Sequence, residues 1–197
     1  MSVEEMLEDA NHLFLKKKFR DAISMYDKVL AVNPGQSVAL NNKGYSLSKI
    51  KDHEHAIWCY DEALQAAPND KTLLINKTSS LRKMKKYKEA INYCNQILEE
   101  TPKDAIALYH KERILFSMGS YEDAVSCCNV ILEGHPENGD VLFDKSASLA
   151  MLDSTDHSLD ALNKAVKISP QFKIKAKNHK AFAKLYDDPR FLQLVSG

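Results

Sequence analysis

The chain of 197 residues is 44% hydrophobic and 27% charged, a composition typical of a folded domain and unlike that of a disordered segment. Its formal net charge is zero, so no overall electrostatic field draws it toward nucleic acid or an anionic membrane. The first ten residues include four acidic ones, where a secretory signal would be basic and then apolar, and no segment approaches about 18 uninterrupted apolar residues. We therefore expect a cytoplasmic protein with no membrane partner.

Proline recurs along the chain at one fixed interval of 34 residues. The series consists of Pro34, Pro68, Pro102, Pro136 and Pro170. A constant period of this length indicates an architecture of stacked repeats. When each proline takes the thirty-second position of a 34-residue unit, the predicted repeats are 3–36, 37–70, 71–104, 105–138 and 139–172, followed by a tail from residue 173.

Each unit contains two apolar patterns with helical spacing. In the first half of every unit, positions four and eleven are apolar. In the second half of every unit, position twenty-eight is apolar. Short stretches such as "KKKF" and "KIKDH" separate the two halves, so we predict an antiparallel pair of amphipathic helices. Proline ends the second helix, and Asp70, Asp104 and Asn138 follow it as predicted N-caps of the next helix.

The tail from residue 173 has its own amphipathic pattern. Its lysines, among them Lys177 and Lys184, share one helical face, whereas Ile174 and Leu185 share another. This pattern predicts a C-terminal capping helix that covers the last repeat. Pro189 is expected early in a short terminal helix.

Four features of the unit together resemble the tetratricopeptide repeat. They are small residues at the eighth position (Ala10, Gly44), alanine at the twentieth (Ala22, Ala56), aromatic rings at the twenty-fourth (Tyr26, Tyr60) and the proline at the thirty-second. The resemblance implies an all-α, right-handed superhelical α-solenoid of five helix pairs, with the first helices lining a concave groove. It also implies a non-catalytic scaffold or adaptor that binds a peptide segment of another protein.

The resemblance identifies candidate groove residues by their position in the unit. Asn42 and Asn76 share the sixth position, and their amides could pair with the main chain of an extended peptide; alternatively, they cap neighbouring turns or face water. The complete predicted peptide-binding set is Asn11, Asn42, Tyr45, Lys49, Asn76, Ser79, Arg82, Tyr109, His110 and Arg113.

The groove lacks the carboxylate clamp with which related co-chaperones grip the acidic tails of heat-shock chaperones. Starting at the first repeat, the clamp positions hold Leu7, Asn11, Asn42, Thr72 and Asn76. Both asparagines are present, but the three cations are missing, so the desolvation of a terminal carboxylate would not be offset. We therefore exclude such a tail as the partner.

Two lysine-rich segments, 77–88 and 164–184, are the strongest local charges. Arg82 and Lys83 occupy groove positions, so the first segment could attract an acidic peptide; the alternative is solvated surface. RNA binding is the weaker interpretation, because the chain has no net positive charge that would attract RNA.

No catalytic motif is found, and neither an enzymatic activity nor a cofactor is predicted. His53, His55 and Cys59 form only three local candidate metal ligands, so no metal site is expected, and all four cysteines are predicted to be reduced thiols. The function predicted from sequence is a protein-binding adaptor; the alternative is a homo-oligomeric structural scaffold that pairs through its ends or outer surface.

Overall fold

The computed structural model describes residues 2–196, which form helices and contain no β-strand. Five consecutive helix pairs come first: α1 (Val3–Leu15) with α2 (Phe19–Val32), α3 (Ser37–Lys49) with α4 (His53–Ala66), α5 (Lys71–Lys83) with α6 (Tyr87–Glu100), α7 (Ala105–Met118) with α8 (Tyr121–Gly134), and α9 (Gly139–Met151) with α10 (Thr155–Ile168). The remaining helices are α11 (Gln171–Lys177), a 3₁₀ helix (Lys180–Leu185) and α12 (Pro189–Val195). The predicted all-α solenoid of antiparallel helix pairs is confirmed.

The helices group into two compact units. The N-terminal unit extends to residue 100 and contains α1–α6, and the C-terminal unit begins at residue 101 and contains the other helices. Within each unit, the first helix of a pair packs against its own second helix, and that second helix packs against the next first helix. None of the helices in residues 2–196 is both long enough and apolar enough to cross a membrane.

The turn inside each pair has the same backbone conformation. One residue in each turn has a positive φ, and these residues are spaced 34 positions apart. They are Lys17 (58°), Lys51 (71°), Lys85 (61°), Gly119 (84°) and Asp153 (56°). In the first turn, the next residue, Lys18, donates its backbone N–H to the carbonyl of Leu13 at 3.0 Å, and Lys17 donates to Phe14 at 2.9 Å. This is the Schellman arrangement, which satisfies the last carbonyls of the first helix.

The predicted N-caps are confirmed at the loops between pairs. Asp70 accepts a hydrogen bond from the backbone N–H of Leu73 at 3.0 Å. Asn138 accepts one from Val141 at 3.1 Å, and Asp104 accepts one from the third residue beyond it at 2.9 Å. Each side chain therefore satisfies an otherwise unpaired donor at the start of a first helix.

The close approach of the two helices in a pair requires small residues. The twentieth-position residues Ala22, Ala56, Ala90 and Ala124 are completely buried. In the last pair Ser158 takes this place, and its hydroxyl donates to the carbonyl of Ser146 at 2.9 Å, while the Ser146 hydroxyl donates to the carbonyl of Ser158 at 2.7 Å. The departure from alanine thus introduces two buried hydroxyls that both have partners.

The C-terminal segment differs from the predicted single capping helix. The helix that begins at Gln171 ends at Lys177, and a 3₁₀ helix follows after His179, whose side chain accepts from the backbone N–H of Ala181. This break brings Phe172 and Phe182 onto the same buried ring, Phe143 of α9, at centroid distances of 5.7 and 5.6 Å. Pro189 lies in the first turn of α12, as predicted.

Candidate functional site

A ladder of side-chain hydrogen bonds crosses the first helices of the N-terminal unit. Oδ1 of Asn11 on α1 accepts from the hydroxyl of Tyr26 at 2.7 Å and from Nδ2 of Asn42 on α3 at 3.0 Å. The Tyr26 ring is completely buried, so this end of the ladder is fixed by the core of the first pair. The structure therefore brings two of the predicted groove residues into direct contact.

Asn41 continues the ladder to the third pair. Its Nδ2 donates to Oδ1 of Asn42 at 3.2 Å, and its own Oδ1 accepts from Nδ2 of Asn76 on α5 at 3.0 Å. Asn41 was not among the predicted site residues, although it occupies the fifth position, which faces the groove in peptide-binding members of the family. All four asparagines are partly exposed. We call the surface they share the amide ladder: Asn11, Asn41, Asn42 and Asn76.

The amide ladder keeps hydrogen-bonding capacity that its own contacts do not use. An amide group offers two donors and one carbonyl oxygen with two lone pairs. Within residues 2–196, Nδ2 of Asn11 and Oδ1 of Asn76 have no protein partner, and one N–H of Asn42 is also unused. Fixed donors and acceptors thus face the surface from α1, α3 and α5.

An aromatic cluster with a lysine lies further along α3. The ring of Tyr45 packs edge-on against Phe14, with centroids 5.4 Å apart, and contacts Phe19 at 6.5 Å. Nζ of Lys49 lies 4.7 Å from the centroid of the Tyr45 ring, a cation–π distance, and the Lys49 side chain is exposed. Tyr45 and Lys49 therefore extend the ladder surface with one packed ring and one available cation.

On α5, Ser79 and Arg82 lie on the same helical face as Asn76 and are partly exposed. The neighbouring Lys83 is exposed, and its charge adds to the effect of burial in lowering the pKa of His53. A hydrogen bond of 3.3 Å between the hydroxyls of Ser80 and Ser48 links this end of α5 to α3. Positive charge is therefore concentrated at the turn end of the surface.

The other three predicted residues lie on α7 in the C-terminal unit. Nη1 of Arg113 donates to the hydroxyl of Tyr109 at 3.1 Å, and the guanidinium lies 5.5 Å from the centroid of the same ring. The Tyr109 and His110 rings contact each other at 6.1 Å. Burial raises the pKa of Asp144 on α9, although Lys175 and Arg113 oppose that shift. Arg113 therefore acts on a carboxylate of its own unit.

The C-terminal segment covers part of the inner face of the C-terminal unit. Phe143 and Ala147 on α9 occupy positions that would line the groove, yet both are buried. The ring of His179 contacts Phe143 at 5.6 Å and Phe116 of α7 at 6.0 Å. Within this unit, the surface of α9 is thus occupied by the chain itself.

One residue of the lysine-rich segment 77–88 is not on the surface. Lys77 is 5% exposed, its Nζ lies 2.5 Å from Oδ1 of Asp61, and it also donates to the hydroxyl of Tyr93. Burial lowers the pKa of Lys77, but its bonds to Asp61 and Tyr93 outweigh burial and raise it. The grouping of Lys77 with exposed lysines is therefore wrong, because its charge is compensated inside the helix stack.

The thiols of Cys59, Cys94, Cys127 and Cys128 are all buried, and none of the four forms a disulfide. Burial raises the pKa of Cys59 from its ordinary value near 9.0 to about 11, so this thiol is protonated at neutral pH. Among residues 2–196, no three His, Cys, Asp or Glu side chains come together as metal ligands.

The sequence matches models of one protein family in two places. Both models describe the tetratricopeptide repeat, and they match residues 38–70 and 81–142. The chain is a tetratricopeptide-repeat protein. Tetratricopeptide repeats are in general non-catalytic modules of protein–protein interaction, as the resemblance in sequence implies. No curated protein matches the chain.

Solved tetratricopeptide-repeat structures share the fold at low sequence identity. YrrB, described as a TPR protein with an unusual peptide-binding site, is 22% identical, with a TM-score of 0.69 over 88% of this chain and 91% of YrrB. A tetratricopeptide repeat protein from Parabacteroides merdae is 19% identical, with a TM-score of 0.84 over 98% of this chain and 77% of that one. A MamA chain from Desulfovibrio magneticus that runs from residue 41 to the end is 16% identical, with a TM-score of 0.78 over 86% of this chain and 96% of that one. These similarities concern the fold alone.

Proposed function

We propose that this tetratricopeptide-repeat protein is a non-catalytic adaptor that binds an extended segment of another protein across the amide ladder. The observation that carries the proposal is the row of amides on α1, α3 and α5, whose orientations are fixed by one another. Donors and acceptors held in place before binding lose little conformational entropy when a ligand arrives. An extended main chain supplies the matching carbonyls and N–H groups whatever its side chains.

The charge at the turn end of the surface favours an acidic segment. Lys49 is exposed beside Tyr45, and Arg82 follows Asn76 along the same face of α5. Complementary charge of this kind raises the association rate and selects among ligands more than it adds affinity. We therefore propose that the amides hold the main chain of the ligand and that the cations select Asp and Glu side chains.

Tyr109, His110 and Arg113 are a weaker part of the proposal. Arg113 already donates from Nη1 to the hydroxyl of Tyr109, so fewer of its N–H groups are available to a ligand. The neighbouring face of α9 is buried under the chain's own C-terminal segment. We propose that the N-terminal unit contributes most of the binding energy. The description of YrrB as a peptide-binding repeat protein supports a peptide ligand for this fold.

The test is selection from a random peptide library with the wild-type protein, followed by affinity measurements on the enriched peptides. We expect sequences enriched in Asp and Glu. Substituting Asn42→Ala together with Asn76→Ala should weaken their binding about tenfold to a hundredfold, because each lost hydrogen bond contributes about 0.5–1.5 kcal/mol. Arg82→Ala should reduce the preference for acidic over neutral peptides.

The control for this test is Gln65→Ala with Asn92→Ala, which removes two exposed amides from second helices of the same unit. All variants must keep the helical circular dichroism of the wild type. If the Gln65 and Asn92 control weakens binding as much as the Asn42 and Asn76 variant does, the ladder is not the binding surface.

A homo-oligomeric scaffold is the second candidate, and Trp58 is the observation that favours it. This tryptophan on α4 is 52% exposed and borders a surface cavity of about 520 Å³ that residues of α2, α3 and α4 line. Exposed tryptophan is rare on free surfaces and frequent at interface hot spots. A concentration-dependent mass that Trp58→Ser abolishes and Asn42→Ala leaves intact would favour this function over the adaptor.

A further inference from the structure

The turns inside the three helix pairs of the N-terminal unit form a lysine-rich edge. The exposed lysines of these turns and their flanks are Lys16, Lys17, Lys18, Lys49, Lys51, Lys83, Lys85, Lys86 and Lys88. We call this surface the basic edge. Because the whole chain has a formal net charge of zero, the edge results from segregation of charge and not from an overall excess.

The lysines of the basic edge are not neutralised by the protein. Within residues 2–196, none of the nine makes an ion pair with a carboxylate. Some exposed lysines of the C-terminal unit are paired: Lys103 pairs with Glu133 at 2.8 Å, and Lys184 pairs with Asp153 at 2.6 Å. The positive potential of the basic edge is therefore available to an external partner.

Backbone conformation gives a second reason to regard the edge as more than solvated surface. Lys17, Lys51 and Lys85 occupy the left-handed position of their turns, at φ of 58°, 71° and 61°. Glycine is the residue that this conformation favours, and Gly119 occupies the equivalent place in the fourth pair. Lysine therefore recurs at this position in all three pairs of the N-terminal unit although the conformation favours glycine, whereas the fifth pair has Asp153 there.

Apolar side chains are exposed on the same edge. Leu15, the last residue of α1, is 76% exposed, and Ile50, which follows α3, is 36% exposed. By contrast, the nearby rings of Phe14, Phe19 and Tyr45 pack against one another. Lysines around an exposed aliphatic side chain suit phospholipid headgroups above a hydrocarbon layer, whereas single-stranded nucleic acid needs stacking rings.

We propose that the basic edge docks the protein on the surface of a phospholipid bilayer that contains anionic lipids. Lysines at successive turns contact the headgroups, and the Leu15 side chain enters the interfacial layer. Such binding is peripheral and needs no membrane-spanning helix. The four asparagines of the amide ladder are not part of the edge, although Lys49 belongs to both proposed surfaces.

The test is co-sedimentation with vesicles of mixed phosphatidylserine and phosphatidylcholine and with vesicles of phosphatidylcholine alone. We expect binding to the mixed vesicles only, and its loss when salt is raised from about 0.1 M to about 1 M, as the Debye length falls from about 10 Å to about 3 Å. Removing three charges with Lys17→Gln, Lys51→Gln and Lys85→Gln should lower the partition coefficient about a hundredfold, since each lysine contributes a factor of about five.

The matched control removes three exposed lysines elsewhere, by Lys28→Gln, Lys167→Gln and Lys177→Gln, and should bind as the wild type does. Leu15→Ser should lower partitioning about tenfold. Equal losses in the edge and control triple variants, or no binding of the wild type to mixed vesicles, would overturn the proposal. Displacement from vesicles by an equal charge concentration of polyuridylate would overturn it in favour of nucleic acid. An Asn42→Ala, Asn76→Ala variant that still binds vesicles separates this result from the fate of the adaptor proposal.

Discussion

Substituting Gly44 by alanine tests the closest helix contact in the N-terminal unit. A methyl group at this position of α3 would lie 2.7 Å from Cε1 and 2.9 Å from Cζ of Tyr60 on α4. Carbon atoms in contact prefer about 3.5–4.0 Å, so the ring would have to retreat by about 1 Å. Tyr60 is 1% exposed and adjoins fully buried residues, which leaves its ring no free space.

Two effects oppose each other in this variant. Replacing glycine by alanine inside a helix stabilises the fold by about 1 kcal/mol, whereas overpacking a buried contact costs about 1–3 kcal/mol. Because the obstacle is a rigid buried ring, we expect the upper part of that range and a net loss of about 1–2 kcal/mol in the free energy of unfolding. Urea denaturation followed by circular dichroism measures this loss.

Two further variants separate the clash from other causes. Gly134→Ala at the end of α8 meets no atom within 4 Å, so it should not destabilise the protein. In a Tyr60→Leu background the clash is removed, and Gly44→Ala should become neutral or stabilising. If Gly44→Ala is as stable as the wild type, or costs the same in both backgrounds, the packing argument fails.

Three other predictions concern stability. Thr78 is fully buried and its Oγ1 lacks a partner within residues 2–196, so Thr78→Val should raise the free energy of unfolding by about 1 kcal/mol in urea titrations, whereas Thr78→Ser should not. Each of the substitutions Lys17→Gly, Lys51→Gly and Lys85→Gly should raise the free energy of unfolding by about 0.5–1 kcal/mol, because the relief of left-handed backbone strain exceeds the cost of the added chain entropy. An unchanged Tm would contradict this expectation. The pKa of the Cys59 thiol is raised from near 9.0 to about 11 in the folded protein, so the thiol ionises first in the unfolded chain. The stability that the buried neutral thiol contributes is therefore complete below pH 9 and is lost as the pH rises toward 11. Between pH 9 and pH 11 the wild type should lose about 2–3 kcal/mol more of its free energy of unfolding than the Cys59→Val variant does. Parallel plots of stability against pH for the two proteins would refute the raised pKa.

The helix pairs, turns and N-caps could be predicted from sequence because each depends on local chemistry. Asp70 caps α5 through a backbone donor three residues away, a distance that the sequence alone defines. The 34-residue period then aligned the equivalent residues of successive repeats. Local signals repeated at a fixed interval therefore determine most of this fold.

The full amide ladder could not be predicted, because it depends on the register between neighbouring helices. Asn42 and Asn76 were selected as equivalent positions, yet they do not bond to each other; Asn41, one residue earlier on α3, bridges them. An alignment on the 34-residue period compares only equivalent positions of the repeats. It therefore overlooks contacts between different positions of neighbouring repeats, such as the bond between Asn41 and Asn76. The break in the C-terminal capping segment at Asn178 was not predicted for a similar reason: the segment packs against Phe143, which lies far away in sequence.

Lysine has different roles in this protein according to its position in the repeat. At the seventh position, Lys43 and Lys77 are held by Asp27 and Asp61 of the preceding pair, at 2.6 and 2.5 Å. Eight residues later, at the fifteenth position, Lys51 and Lys85 belong to the unpaired basic edge. Because removal of a lysine paired inside the stack leaves its aspartate without compensation, neutralising such a residue would change stability and binding together. Charge substitutions that test the two proposed surfaces must therefore be chosen by repeat position and not by proximity in sequence.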